Sequence, residues 1–148
     1  MCNRQHAHFR HSQVTSVSSY QLGTIYCVIF AVSPMQPWLT SDHTKYSNGD
    51  TGLFRCVTSG SRPAARIMWF VHNQPISDAS ATITRQDRED VDGTFSSSSQ
   101  LAIGVSRDMN GADVTCSVTN SVLISQGQGS RNASTTVVVE CELSLIHI

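Results

Sequence analysis

Two cysteines and one tryptophan are the residues whose types and spacing suggest a specific chemistry. Cys56 opens the stretch CVTSGSRPAARIMWF, Trp69 follows it by thirteen positions, and Cys116 lies sixty positions after Cys56. A cysteine acts as a nucleophile where its surroundings favour the thiolate, whereas two cysteines with suitable geometry form a structural disulfide bond. The residues around each sulfur decide between these two uses.

Both cysteines lie in short stretches with the alternating apolar pattern of half-buried β-strands. Phe54 shares a strand face with Cys56, and Val114 shares one with Cys116. Because apolar surroundings disfavour a thiolate, the pattern argues against a catalytic cysteine. Two inward-facing sulfurs can instead meet across the core of a two-sheet sandwich, about 10 Å thick, with Trp69 packed beside them. Two buried free thiols are the alternative that the pattern leaves open.

Further stretches with strand character recur at intervals of about 8–12 residues and are separated by turn residues. The predicted strands cover residues 53–58, 66–72, 81–86, 94–105, 112–120 and 133–140. Alternation places Leu101 on the inner face of the fourth strand, and residues 121–132 are interpreted as a hairpin connection. The pattern predicts an all-β fold, a two-sheet antiparallel sandwich.

The serine and histidine residues do not form a recognisable hydrolase pattern. Residues 59–61 lack the G-x-S-x-G turn of a nucleophilic serine. His72 is the only histidine on a predicted sandwich strand, and the run Ser96–Ser99 is interpreted as exposed positions along a strand. The sequence therefore predicts a protein that is not an enzyme and takes no small-molecule substrate.

Two groups of potential metal ligands are also unconvincing. Residues 87–93, DREDVDG, resemble a calcium-binding loop, but the EF-hand pattern places Arg88 where a carboxylate is required. Three leader histidines lack a supporting ligand pattern: His6, His8 and His11. We expect a solvated acidic loop, no metal site and no cofactor.

The charge balance limits the class of partner. Ten basic and eleven acidic side chains give a formal net charge of −1, and Lys45 is the single lysine. Such a chain has no basic field that would attract a phosphate backbone, so we expect no nucleic-acid partner.

The first forty residues differ from the rest of the chain. Residues 22–32, LGTIYCVIFAV, are too short to cross a bilayer of about 30 Å as a helix, but they match the length of a signal-peptide core. We expect residues 1–40 to be a leader with a signal peptide, 41–140 to be the folded domain, and 141–148 to be a truncated or non-native tail. Cys141, in that tail, has no predicted partner.

The order Cys56, Trp69, Cys116 resembles the pattern of the immunoglobulin superfamily. GLFRCVTSGSRPAARIMWF and MNGADVTCSVTN are similar to C2-type domains of cell-adhesion receptors, in the nectin, nephrin and sidestep-like groups. One departure is Val114, which stands where many immunoglobulin domains carry a tyrosine that fixes a corner of the sandwich. Asn110 stands where an aspartate is common. The missing tyrosine favours a C2-like variant over an antigen-receptor variable domain.

The resemblance implies an immunoglobulin-like sandwich with a disulfide between its sheets, at positions Cys56 and Cys116. It also implies an extracellular binding module of a cell-adhesion or recognition receptor. The expected partner is a cell-surface or extracellular protein, with homophilic pairing as one form. The expected location is the cell surface, as the ectodomain of a membrane protein. A secreted soluble immune-type recognition protein is the alternative.

Strand alternation suggests where a partner would dock. Met68 and Phe70 flank inward-facing Trp69 and therefore point outward, where large apolar side chains can mark a partner surface. The predicted contact face contains Met68, Phe70, Asp113, Thr115 and Ser117. A covering loop or neighbouring domain is the alternative explanation, and the apolar residues 122–124 raise the same question.

Asn132-Ala133-Ser134 is an N-glycosylation sequon. It is expected just before the last strand, where a glycan on Asn132 would project into solvent.

Overall fold

The computed structural model of the protein describes residues 14–22 and 25–141. Within this part of the chain, an antiparallel hairpin of β1 (Val14–Leu22) and β2 (Ile25–Val32) precedes the sandwich. Most of the predicted signal-peptide core coincides with β2, and the signal peptide itself stays a prediction. Two further subjects of the sequence analysis lie outside the described residues: the leader histidines His6, His8 and His11, and residues 142–148 of the predicted tail.

The sandwich consists of two four-stranded antiparallel sheets. The strands of these sheets, together with the separate pair β4 and β12, are β3 (Trp38–Ser41), β4 (Tyr46–Ser47), β5 (Thr51–Ser61), β6 (Arg66–Val71), β7 (Gln74–Pro75), β8 (Thr82–Glu89), β9 (Phe95–Gly104), β10 (Asp113–Thr119), β11 (Arg131–Thr136) and β12 (Val139–Glu140). The β5 sheet has the order β3-β5-β9-β8, and the β10 sheet has the order β11-β10-β6-β7. The short strands β4 and β12 pair with each other in parallel.

Alternation along the strands builds one core between the two sheets. On β5, Phe54 and Cys56 are buried while Leu53 and Arg55 are exposed. On β10, every second residue from Val114 onward is fully buried. The predicted all-β immunoglobulin-like sandwich is confirmed.

A disulfide bond joins the two sheets at the centre of this core. It links Cys56 on β5 to Cys116 on β10, whose Cα atoms lie 6.3 Å apart. Trp69 lies directly opposite Cys116 in the register of β6 and β10, and it is buried together with Leu101 and Val114. The predicted disulfide is therefore present, and the alternative of two free thiols at these positions is wrong. Cys141 is an exposed free cysteine.

Several elements differ from the sequence-based expectations. All of β3 except Ser41 lies within the predicted leader, β8 continues into the predicted acidic loop, and the single predicted last strand is divided into β11 and β12. β6 ends at Val71 because His72 and Asn73 adopt left-handed φ angles of 51° and 60° in the two-residue turn to β7. The predicted domain limits, 41–140, stay a prediction.

A five-residue helix, α1 (Ser121–Ser125), replaces the expected plain hairpin connection. Asn120 begins it, because its Oδ1 accepts hydrogen bonds from the backbone amides of Val122 and Leu123, both at 3.2 Å. The helix buries Val122 and Leu123 and leaves Ile124 exposed. Of the explanations left open for residues 122–124, burial rules out a partner surface at Val122 and Leu123.

Candidate functional site

The register of β6 and β10 brings the predicted contact residues onto one surface. Phe70 lies directly opposite Thr115, and Met68 lies directly opposite Ser117. Directly opposite residues of an antiparallel pair share a face of the sheet. Asp113 continues the same face two positions along β10. These five residues form a continuous patch on the outer side of the β10 sheet, which we call the contact face.

The contact face has an apolar centre and polar surroundings. Met68 is 38% exposed and Phe70 is half-buried, so both present carbon surface to solvent. The Thr115 and Ser134 hydroxyls lie 2.7 Å apart and share a hydrogen bond. Further along, the Thr136 hydroxyl donates to the Asp113 carboxylate at 2.9 Å. The Thr115 and Asp113 side chains are therefore held in place by hydroxyl groups of the neighbouring strand β11.

Opposite charges occupy the two ends of the contact face. Arg66 is exposed and lies opposite Thr119, two positions before Met68. Asp113 lies at the other end, on the neighbouring strand. At about 3.3 Å per strand residue, roughly 20 Å separates the two ends along the strands. The centre between them carries no formal charge.

The third strand of the sheet carries the sequon onto the same face. Asn132 lies directly opposite Ser117, and Ser134 lies directly opposite Thr115. Asn132 is exposed and lies inside β11, the edge strand. The sequence pattern had instead placed it just before the last strand. Glycosylation of Asn132 stays a prediction at this stage.

Trp69 supports the contact face from the core side. Its indole Nε1 donates a hydrogen bond to Ser99 Oγ at 2.9 Å, and that hydroxyl donates to the carbonyl of Thr84 at 2.9 Å. The bonds connect β6 of one sheet to β9 and β8 of the other. The sequence analysis missed this role, because it interpreted the serine run as exposed. That interpretation is wrong for Ser97 and Ser99, which are buried.

Tyr46 is a buried tyrosine of the sandwich, but it lies on β4 and not at the start of β10. Val114 is fully buried, and Tyr46 on β4 instead donates a hydrogen bond from its hydroxyl to Asp42 Oδ1 at 2.6 Å. Burial, together with that hydrogen bond and the charge of Asp42, raises the pKa of Tyr46 to about 12. Burial alone would raise the pKa of Asp42, but hydrogen bonds from Tyr46, the Leu53 amide and His43 hold it below its usual value.

Asn110, which stands where an aspartate is common, has a structural role in the loop that precedes β10. Its side-chain oxygen accepts a hydrogen bond from the amide of Val139 at 2.9 Å. The contact fixes β12 beside the loop that leads into β10. The Tyr46 backbone amide donates to the Val138 carbonyl at 2.9 Å, so Asn110 and Tyr46 both hold the chain at the start of β12.

Carboxylates among residues 87–93 accept hydrogen bonds from donors of the same chain. Asp90 accepts a hydrogen bond from the Ser96 hydroxyl at 2.6 Å. Asp92 accepts bonds from the hydroxyl and the amide of Thr94, which lower its pKa. Within the described residues, no group of three or more histidine, cysteine or acidic side chains could hold a metal ion.

The outer side of the β5 sheet is the other exposed sheet surface, and sequence reasoning missed it. Trp38 on β3 is 73% exposed and lies opposite Val57, while Leu53 on β5 is 37% exposed. Arg55 and Gln100 lie opposite each other on the same side and line a cleft of about 450 Å³. Trp38 fell within the predicted leader, and its four-residue strand carries no alternating pattern that could have revealed it.

Comparison with known proteins decides the family. The family model described as "CD80-like C2-set immunoglobulin domain" matches residues 37–126, more than half of the chain. The chain belongs to this family. The match begins at the strand β3 region and includes both half-cystines and Trp69. In the described part of this family member, no helix is long and apolar enough to span a membrane.

The similar curated proteins are cell adhesion molecules. Cell adhesion molecule 3 of Homo sapiens is 34% identical over 91 residues, which are 61% of this chain and 22% of that protein. Cell adhesion molecule 3 of Xenopus laevis is 33% identical over 86 residues, or 57% of this chain and 21% of that protein. Cell adhesion molecule 2 of Xenopus tropicalis is 33% identical over 104 residues, 70% of this chain and 23% of that protein. The chain thus spans less than a quarter of these relatives.

Solved structures show the same fold. The ectodomain of mouse nectin-like molecule 4 superposes with a TM-score of 0.63 at 22% identity, covering 74% of this chain and 35% of that one. Rst D1-D2 gives a TM-score of 0.64 at 21% identity, covering 77% of this chain and 56% of that one. The predicted resemblance to C2-type domains of nectin-like adhesion proteins is confirmed.

Proposed function

We propose that this domain is a recognition module of a cell-adhesion protein, that it works outside the cell or at its surface, and that it acts by binding protein rather than by catalysis. The homology to cell adhesion molecules 2 and 3 supports this class of function. The observation that carries the proposal is the contact face, where exposed Met68 and half-buried Phe70 lie on a sheet that a disulfide joins to the opposite sheet. No observation favours the secreted soluble alternative.

Binding at the contact face follows from its layout. Protein interfaces concentrate their affinity in a few central apolar residues that are surrounded by polar groups, which exclude water. Met68 and Phe70 supply such a centre, and the hydroxyls of Thr115 and Ser117 border it. Because the Thr115 and Asp113 side chains are already hydrogen-bonded, docking costs less side-chain entropy than it would on a mobile surface.

A second copy of the same chain is the partner that the charges fit. In a two-fold pairing, the same patch of both copies forms the contact, so the patch must complement itself. A two-fold axis that lies in the interface and crosses the strands brings Arg66 of one copy towards Asp113 of the other, and the pair occurs twice. The uncharged centre adds no like-charge repulsion.

Self-aggregation of beads coated with the full chain tests the proposal. We expect Phe70→Asp to abolish aggregation and Met68→Ser to reduce it about tenfold, the effect of losing a central contact worth about 1.4 kcal/mol. Leu53→Ser is the matched control, since Leu53 and Met68 are 37% and 38% exposed on opposite outer faces. Circular dichroism checks that each variant is folded. Equal aggregation of the two serine variants would refute the assignment of the contact face.

A further inference from the structure

The position of the sequon relative to the contact face has a consequence for partner access. Asn132 lies directly opposite Ser117, which lies directly opposite Met68, so three neighbouring strands place these side chains in one row. Directly opposite Cβ atoms in antiparallel strands are about 4.5–5.5 Å apart. With strands about 4.8 Å apart, Asn132 lies roughly 10 Å from Met68 across the sheet.

The Asn132 side chain is available for modification on the folded domain. It is exposed, and its Oδ1 accepts a hydrogen bond from the Ser130 hydroxyl at 3.1 Å. Its backbone carbonyl is engaged separately by Gln36 Nε2 at 2.6 Å. Among the described residues, the amide nitrogen Nδ2 donates no hydrogen bond, so a sugar attached to Nδ2 displaces no contact of the fold.

We propose that Asn132 carries an N-linked glycan that covers the row from Ser117 to Met68 and thereby limits docking of a second copy on the contact face. The proposal rests on the function proposed above. In the attachment step, Nδ2 forms a bond to the anomeric carbon of the first sugar and loses a proton. The diphosphate of a lipid-linked oligosaccharide is the leaving group.

The geometry makes the glycan an obstacle to flat docking. An N-glycan is bulky and hydrated, and here its root stands on the same outward side as the apolar centre. A partner that packs on Met68 must displace or avoid the sugars. The Asp113 end is less affected, because Asp113 lies opposite Thr136, four positions along β11 from Asn132.

Glycosylated and unglycosylated forms of the full chain test the proposal. The chain is directed into the secretory pathway of mammalian cells, and peptide mass spectrometry before and after glycosidase treatment measures the occupancy of Asn132.

We expect Asn132→Gln to raise bead aggregation at least fivefold. Ser134→Ala, which also destroys the sequon, should act in the same direction. Ser134→Thr keeps both the sequon and a hydroxyl beside Thr115, so it should aggregate like the unmodified sequence. Glycosidase treatment of the folded protein removes the sugar from the unmodified sequence. It therefore shows the effect of the glycan without the Asn132→Gln or Ser134→Ala substitution.

The possible outcomes separate this proposal from the one before it. An unoccupied Asn132, or aggregation that is equal or weaker after loss of the glycan, overturns the glycan proposal. If Met68→Ser still reduces aggregation in that case, the contact face stands without it. Absence of aggregation in every form, glycosylated or not, overturns both proposals together.

Discussion

The outer faces of the two sheets differ in where their exposed apolar side chains lie. Trp38 on the β5 sheet is 73% exposed, far more than Met68 on the β10 sheet, but it stands on an edge strand. On the β10 sheet, the groups around Met68 and Phe70 are joined by cross-strand hydrogen bonds, such as Thr115 to Ser134. Exposed area alone would favour the face that carries Trp38. We place docking on the β10 sheet because ordering side chains on binding costs free energy and the side chains around Met68 are already hydrogen-bonded.

Loss of the disulfide should have the largest effect on the stability of the domain, because this bond joins the two sheets that carry both outer faces. We expect replacement of Cys56 and Cys116 together by alanine to lower the free energy of unfolding by about 4 kcal/mol, as the chain-entropy relation gives for a loop of this length. The loop spans sixty positions. Chemical denaturation of the secreted protein measures the change, with Cys141→Ala as the control. A loss below about 1 kcal/mol would mean that the two faces do not depend on a shared crosslink.

Alanine substitutions of the two buried serines of β9 should change the free energy of unfolding by different amounts, because only one of these serines supports the contact face. Ser99→Ala leaves the buried Trp69 Nε1 without its acceptor, which should cost about 1–3 kcal/mol of unfolding free energy. Ser97→Ala removes a buried hydroxyl that has no partner within the described structure, so it should be neutral or slightly stabilising. Thermal unfolding of the pair provides the comparison. Similar losses for both variants would contradict the role assigned to Ser99.

Charge reversal on the β10 sheet should have the smallest effect on bead aggregation. It should also distinguish the outer face of the β10 sheet from that of the β5 sheet. We expect Arg66→Glu or Asp113→Arg alone to weaken bead aggregation about threefold, since exposed ion pairs contribute less than about 1 kcal/mol. The double variant should recover the original level, because the reversed pair meets in the two-fold contact. Arg55→Glu, on the outer side of the β5 sheet, should change nothing. If the double variant is weaker than either single one, the proposed pairing of Arg66 with Asp113 is wrong.

The alternating pattern in single strands was sufficient to predict the core. Phe54, Cys56 and Val114 face inward as expected. Alternation left free thiols open, and the resemblance to immunoglobulin domains implied the disulfide that the structure contains. The same rule, counted back from buried Leu101, would also have placed Ser99 and Ser97 inside. That error came from giving serine's polarity more weight than its position in the strand.

Other features depend on long-range pairing, which a single strand does not reveal. β3 is recognised only by its pairing with β5, because its four residues, Trp38–Ser41, include none that is fully buried. Helix α1 has too few residues for a periodic signal, although Asn120 as its N-cap is a local one. The meeting of Asn132 with Ser117 depends on the register between β10 and β11, which the sequence pattern alone did not fix.

The parallel pair of β4 and β12 determines how the domain responds to mechanical load. When the segments before β4 and after β12 are pulled apart, the force runs along both strands and shears the pair. The contacts of Tyr46 must therefore break together and not one after another. Beyond that point, the bond between Cys56 and Cys116 keeps the enclosed segment from lengthening. An adhesion module with this arrangement resists tension at its ends and limits its own extension once they yield.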